Sequence, residues 1–277
     1  MVRRRLDAEL VRRHMARSRD HARALIESGA VRVKGTVATK PATQVDQSDP
    51  VVIDEDSGDA YVSRGAHKLL GALAAFPEVE VEGRDCLDAG ASTGGFTQVL
   101  LEAGAARVLA VDVGYGQLAW PVRTNPRVHV LERTNVRTLT PGDVPFRPSL
   151  VVADLSFIPL GLVLPALAEV ALPDADLLLM VKPQFEVGRE AVGDGVVRDP
   201  ALRARAVLGV AEAAQGIGMQ VRGVVASPLP GPSGNVEYFL WLHRGAGAGS
   251  SGMLVTDSLT ADDLVAAVDC AVREGPA

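Results

Sequence analysis

The sequence predicts an α/β fold: a seven-stranded sheet with interleaved helices, behind a small N-terminal α+β unit. Three observations carry that expectation. From about residue 84 onward, short apolar runs alternate with helical repeats in strand–helix–strand order. The first of these runs ends in a glycine-rich loop, "DAGASTGGF" over residues 88–96, that opens a helix. The first forty residues carry seven net positive charges, whereas the whole chain of 277 residues carries −6.

The elements follow in order. Leu6, Leu10, Val11 and Met15 recur at helical spacing. Ser18 is placed to cap a second helix bearing Ala22, Leu25 and Ile26, and Gly29 to stop it. "VRVKGTVATKPATQV" alternates like strands about a Lys34-Gly35 turn, and "DPVVIDE" adds another strand. This unit is expected over residues 1–58, with a linker at 59–64. "DCLDAG", "ARVLAVDVG", "RVHVLER", "PSLVVADLSF", "ADLLLMVKPQF", "MQVRGVVASP" and "NVEYFLWLH" read as the seven strands of a domain over 65–243. "TGGFTQVLLEAGA", "LGLVLPALAEVA" and "DPALRARAVLGVAEAAQG" read as helices, the last with Asp199 at the N-cap and Pro200 at the first helical position. Residues 244–277 read as a Gly/Ser linker and a helix that docks on the protein, with Thr260 and Asp263 at capping-box spacing.

Composition narrows the classes. No run approaches the roughly 18 apolar residues of a membrane helix. The basic start leads into no apolar segment, so no signal peptide is expected. Cys86 and Cys270 have neither metal-ligand nor disulfide-framework spacing, so a reducing cytoplasm is the default, without a metal. The basic head suits either a nucleic-acid-binding module or a solvated arginine-rich face, and composition alone leaves both open.

The stretch "RLDAELVRRHMARSRDHARALIESGAVRVKGTVATKPATQV" resembles the S4 RNA-binding domain. The resemblance implies an arginine-studded helical face gripping structured RNA. Arg4, Arg12, Arg13, Arg17, Arg19, Arg23, Lys34 and Lys40 are the candidate contacts, reading phosphates and shape more than sequence.

In the glycine loop, Asp88 ends the first strand of the large sheet, and Gly90, Gly94 and Gly95 allow a tight turn and close approach to a ligand. The spacing is neither the dinucleotide G-x-G-x-x-G nor a P-loop. Asp112 ends the next strand, where an acid accepts ribose hydroxyls. A ribose acceptor without a pyrophosphate cradle suits S-adenosylmethionine (SAM). Asn135 after the third strand is a candidate for the adenine, and Asp154 after the fourth for the methionine end. Lys68, Asp154, Lys182 and Glu237 lie in or beside apolar runs, where charges need partners. They read either as a catalytic set or as two buried ion pairs.

"VSRGAHKL", "CLDAGASTGGFTQVLL", "DVGYGQLAW", "LERTN", "VVADLSFI", "VKPQFEVG" and "PLPGPSGNVEYFLWL" resemble the TlyA family over almost the whole chain. These are rRNA 2′-O-methyltransferases with an S4 domain and a Rossmann-like, FtsJ-like class I methyltransferase fold. The resemblance implies a K-D-K-E tetrad at Lys68, Asp154, Lys182 and Glu237. It implies a SAM site at Asp88, Gly90, Ala91, Ser92, Thr93, Gly94, Gly95, Phe96, Asp112, Val113, Asn135 and Asp154. The implied substrate is the 2′-hydroxyl of cytidine in 16S or 23S rRNA, or both. Loss of the modification is implied to confer resistance to capreomycin and viomycin. One departure is visible: the family linker often reads R-x-W-V, and Asp59-Ala60-Tyr61-Val62 lacks the arginine.

A ribose hydroxyl needs a base, alignment with the methyl donor and support for developing negative charge. Lys182 is expected to act as base or to steer the 2′-oxygen, tuned by Asp154 and Glu237, and Lys68 to orient the hydroxyl or stabilise negative charge. Phe157 and Phe185 read equally as stacking groups and as core. The loop 186–199 reads equally as an RNA clamp and as a surface loop. Rival readings are a membrane-active haemolysin, for which no amphipathic basic stripe speaks, a silent ribosome-binding factor, and a pseudouridine synthase. A monomer acting on ribosomal subunits is the favoured form.

Overall fold

The computed structural model describes residues 3–53, 61–188, 192–193, 195–245 and 258–276, apart from His14, Arg17 and Ser28. Arg17, Asp59, Ala60, part of the 186–199 loop and most of the Gly/Ser linker therefore lie outside the described residues. The chain forms two compact units, Met1–Arg64 and Gly65–Ala277.

In the first unit, strand β1 (Arg4–Arg5) leads into helix α1 (Leu6–Arg12), followed by α2 (Arg19–Glu27). The expected Ser18 cap is present, its Oγ accepting the His21 amide at 3.1 Å. Gly29 stops the helix at φ +79°. Strands β2 (Val31–Val33), β3 (Thr36–Val37) and β5 (Val51–Ile53) form an antiparallel sheet in the order β3-β2-β5. Lys34 and Gly35 both take positive φ at its turn. Strand β4 (Gln44–Val45) pairs with β1, a ladder too short to be seen in the sequence pattern. Leu6, Leu10, Ala22, Ile26 and Val31 are fully buried between helices and strands.

The second unit opens with helix α3 (Gly65–Ala75), to which the sequence reading assigned no element. Its buried stripe of Ala66, Lys68, Leu69 and Ala72 includes a charge, so the apolar period is broken where function begins. The sheet follows as β6 (Asp85–Ala89), β7 (Arg107–Val111), β8 (Val128–Leu131), β9 (Leu150–Ala153), β10 (Asp176–Val181), β11 (Gln220–Ala226) and β12 (Tyr238–His243). Its order is β11-β12-β10-β9-β6-β7-β8, with β12 antiparallel to both neighbours and the other pairs parallel. The interleaved helices are α4 (Gly95–Glu102), α5 (Trp120–Arg123), α6 (Leu164–Val170), α7 (Pro183–Glu186) and α8 (Pro200–Gly216). Asp199 caps α8 by accepting the Ala201 amide at 2.9 Å. The last helix, α9 (Ala261–Glu274), begins at Thr260, whose Oγ accepts the Asp263 amide at 3.2 Å. Its Leu264, Val268 and Ala271 are buried in the main core with Val207, Val210 and Val221.

Strand order reverses between β6 and β9, which are direct neighbours. Loops diverge there at the carboxyl ends of the strands and leave a crevice, the usual ligand position in an open α/β sheet. At the opposite edge Asp176 accepts from Arg84 (2.8 Å) and Trp241 (3.0 Å) and lies 3.0 Å from His243 Nδ1. That edge is thus closed by its own side chains.

Candidate functional site

A pocket of about 550 Å³ occupies the crevice. Each of four successive strands contributes the loop at its carboxyl end: Gly90 and Ser92 after β6, Asp112 and Val113 after β7, Asn135 after β8, and Asp154 to Ile158 after β9. Gly90 is the glycine the geometry demands. It has φ +86°, and a Cβ there would stand 2.6 Å from the carbonyl oxygen of Asp154. Its amide bonds the Val111 carbonyl at 2.8 Å, and Asp154 bonds the Ala89 carbonyl at 3.0 Å, so the β6 and β9 loops cross at backbone distance.

Asp112 holds the floor. Its Oδ2 accepts the Ser92 amide (2.8 Å) and its Oδ1 the Gly114 amide (2.7 Å). Ser92 takes φ +49° to make that bond. A carboxylate has about four lone-pair sites, so Asp112 retains capacity for a ligand diol. Asn135 accepts the Arg137 amide at 3.0 Å through Oδ1, which leaves its NH₂ as the group that meets a ligand. Gln117 and Leu155 also line the pocket, and the sequence reading had missed both.

The rest of the glycine loop packs against its own surroundings. Asp88, Ala91, Thr93, Gly94, Gly95 and Phe96 are absent from the pocket lining. Asp88 is fully buried and accepts the Thr97 hydroxyl at 2.6 Å, pinning the first turn of α4 under the loop. Burial pushes its carboxyl up to about 7, against the Thr97 hydrogen bond and helped by Asp154 and Asp112. Gly94 has φ +97°, and a Cβ there would meet Leu118 at 2.9 Å and Val122 at 3.0 Å, so it makes room for α5 and the residues leading into it. Thr93 holds that segment through its carbonyl, which accepts the Ala119 amide at 3.0 Å. Phe96 is core and stacks on Phe239 at 6.1 Å.

The four charged residues converge on the same edge of the sheet as two ion pairs. Lys182, directly after β10, forms an ion pair with Asp154 Oδ1 (2.6 Å) and donates to Ser156 Oγ (2.9 Å). Both partners line the pocket. Lys68 of α3 donates to Glu237 Oε2 (2.5 Å) and lies 4.0 Å from Met180 Sδ. Val181 pairs with Tyr238, so Lys182 and Glu237 are the next register positions at the strand ends. Lys68, Lys182 and Glu237 are buried. Glu237, expected together with Asp154 to tune Lys182, takes Lys68 as its bonded partner. Ser156 instead completes the lysine's clamp, and no spacing in the sequence marked it. Gly231 is a further silent contributor: a Cβ there would sit 2.6 Å from Glu237 Oε1.

Beside this edge, Phe157 has φ +66° and is 90% exposed, touching Phe185 at a ring distance of 5.2 Å. That removes the core reading for Phe157. A bulky residue at positive φ is strained, and such strain gathers at functional sites.

In the first unit, Asp7 and Glu9 are buried and ringed by arginines. Asp7 accepts from Arg5 (2.9 Å) and Arg19 (3.2 Å), and Arg23 lies at 3.7 Å. Glu9 accepts from Arg12 (2.6 Å) and Arg13 (2.8 Å), and Arg4 lies at 3.9 Å. The Arg5 hydrogen bond holds Asp7 down at about 2, and the Arg12 hydrogen bond does the same for Glu9. Arg13 is corrected from RNA contact to brace: its guanidinium also donates to the carbonyls of Asp46, Gln47 and Asp49. Lys34 pairs with Asp49 at 2.8 Å, and Lys40 is exposed.

Comparison with known proteins decides the family. Residues 61–244 match the FtsJ-like methyltransferase model, and residues 4–51 match the S4 domain. The 16S/23S rRNA (cytidine-2′-O)-methyltransferase TlyA of Mycobacterium tuberculosis is 60% identical over 274 residues, 98% of each chain. The chain belongs to the TlyA family. The 23S rRNA (cytidine-2′-O)-methyltransferase TlyA of Campylobacter jejuni is 37% identical across 66% of this chain and 71% of its own. A solved structure from Streptococcus thermophilus, described as a candidate hemolysin, superposes with a TM-score of 0.73 at 35% identity, covering 99% of this chain and 97% of that one. Hemolysin is thus a label given within the same family. Among the described residues no helix is long and apolar enough to cross a membrane. The family is a SAM-dependent one, and the pocket suits that ligand: a diol acceptor at Asp112, an amide at Asn135, and a close-approach glycine at Gly90.

Proposed function

We propose that the protein transfers the methyl group of SAM to the 2′-hydroxyl of a cytidine in ribosomal RNA, in the cytoplasm and as a monomer. The observation that carries this is the buried Lys182 ammonium position, clamped by Asp154 and Ser156 at the wall of the pocket. Asp112 takes the SAM ribose, Asn135 the adenine, and Gly90, Ser92 and Asp154 border the methionine end. SAM supplies an electrophilic methyl on a sulfonium. The chain's own residues do the remaining work.

Lys182 meets the 2′-hydroxyl at Nζ and, as the ammonium, orients its oxygen, or, in the neutral amine form, takes its proton as the methyl arrives. Asp154 and Ser156 fix the direction of Nζ. Lys68, held by Glu237, supplies the second cation at this edge and steadies charge that grows on the oxygen. Phe157, exposed and strained, offers a face for the target base once the cytidine leaves its helix. The S4 unit grips the surrounding RNA through its arginines.

The test is transfer of tritiated methyl from SAM to purified 30S, 50S and 70S particles, followed by mapping of 2′-O-methyl positions. Label is expected on cytidine ribose of at least one subunit. Label on a base, or on no ribosomal particle, would overturn the reading.

A further inference from the structure

The arginine face holds more than a supply of positive charge. Among the described residues, six guanidiniums, those of Arg4, Arg5, Arg12, Arg13, Arg19 and Arg23, stand within 4 Å of two carboxylates. Those carboxylates, Asp7 and Glu9, are almost wholly buried, whereas the arginines other than Arg13 are about half-exposed. A protein that needed only a basic surface would have no cause to bury two anions beneath it, since burying charge is costly and weakens the positive field. The hydrogen-bond pattern supplies a cause. Arg5 grips Asp7 through Nε and Nη2, and Arg12 grips Glu9 through the same pair of atoms. Their Nη1 groups take no part in these bonds. Arg19 uses only Nη2 on Asp7.

We infer that Asp7 and Glu9 are positioning residues for RNA binding: they hold the exposed guanidiniums in one array that structured RNA phosphates dock against. The inference rests on the reading of this unit as the RNA grip. A free arginine side chain carries substantial rotamer entropy. A guanidinium already fixed by one edge loses less of it when the other edge meets a phosphate. Arg13 is turned inward as a brace, and the other five guanidiniums still outnumber the two acids beneath them. An irregular, flexible strand gains less from a fixed array than a folded RNA whose phosphates are themselves fixed.

The consequence runs against simple electrostatics. Asp7→Asn and Glu9→Gln each raise the net charge by one, which by attraction alone tightens binding to any RNA. Positioning demands the opposite for structured RNA. The experiment measures Kd of the full-length chain for purified unmethylated 50S subunits and for polyuridylate, with thermal melting as a check on the fold. Each substitution is expected to weaken subunit binding by about tenfold while polyuridylate binding stays level or tightens. Subunit binding that is unchanged or tighter in both variants would overturn the inference.

Asp7 also accepts the Ala8 amide, so Asp7→Asn carries a risk to helix α1. Should it melt early, Glu9→Gln decides. Arg12→Lys is a third arm that keeps both acids and the net charge but removes the two-point grip on Glu9. It is expected to lose subunit affinity, and wild-type affinity there would count against positioning. The triple substitution Arg12→Ala, Arg19→Ala, Arg23→Ala tests the underlying reading: if it leaves both RNAs bound as before, the RNA grip itself is wrong. If it weakens both while the acid variants bind normally, only the positioning fails.

Discussion

In the N-terminal unit two buried carboxylates face six guanidiniums, five of them about half-exposed. At the carboxyl edge of the large sheet two carboxylates face two buried ammoniums, one to one. The residue chemistry is the same, and the ratio and burial differ. An excess of exposed cations leaves a field for a polyanion. Matched and buried pairs leave little net charge, but they fix a nitrogen in direction beside a pocket. The difference separates gripping from reacting, and it teaches that the acids matter as much as the bases in both places.

The sharpest way to break that division is at Lys182. Lys182→Ala should lower methyl transfer by about 10³-fold, with affinity for SAM and for ribosomal subunits within about twofold of wild type. Tritium transfer and equilibrium binding read the two quantities separately. A large loss of subunit affinity would show that the edge grips as well as reacts.

Next is Gly90. Gly90→Ala places a methyl against the Asp154 carbonyl in a backbone conformation that alanine resists. It should weaken SAM binding by roughly tenfold or more by calorimetry. Gly94→Ala intrudes on Leu118 and Val122 and should act through stability as well, visible as a lower melting temperature.

Ser156→Ala removes one arm of the lysine clamp and should cost about tenfold in kcat, the size of one hydrogen bond to a charged group. KM for SAM should hardly move. An unchanged kcat would mean that Asp154 alone directs Lys182.

The smallest effect is on stability against pH, and the two units should respond in opposite senses. Asp7 and Glu9 fall to about 2 in the folded head, below their ordinary 3.8 and 4.5. Their contribution is complete above about pH 4.5 and fades as pH drops toward 2. Asp88 rises to about 7 through burial, as does Glu186. The folded sheet unit therefore holds protons that the unfolded chain releases, and its stability should fall as pH climbs from about 4 through 7. Hydrogen exchange followed by peptide should show the head weakening below pH 4.5, where the sheet unit retains its gain from acid. Asp88→Asn should flatten the second trend and raise the melting temperature above pH 7 by a few degrees.

Much of the fold was legible because its signals are local. All seven strands of the large sheet, the Ser18, Asp199 and Thr260 caps, and the Lys34-Gly35 turn follow from apolar period and cap chemistry at neighbouring positions. Helix α3 was not legible, since Lys68 interrupts its apolar stripe for a partner 169 residues away. The 2-residue ladder of β1 with β4 has too few residues to show a period. At the site, acids at strand ends marked Asp112 and Asp154, and uncomfortable charges marked Lys68, Lys182 and Glu237. Ser156, Gln117 and Gly231 carried no such mark, because a serine, a glutamine or a glycine in a loop is ordinary until its neighbours are known.

The sequence by itself determined the strand and helix order, the basic head, the glycine loop and the set of charged residues from which the site is built. Those features depend on composition and spacing along the chain. Tertiary structure decided who pairs with whom: Lys182 with Asp154 and Ser156, Lys68 with Glu237, and the head arginines with Asp7 and Glu9. It also decided that Gly90 packs against the Asp154 carbonyl at the pocket while Gly94 clears space for Leu118 and Val122. The reason is that pairing, burial and close approach are set by distances across the sheet and between loops, and residue spacing along the chain does not encode those distances.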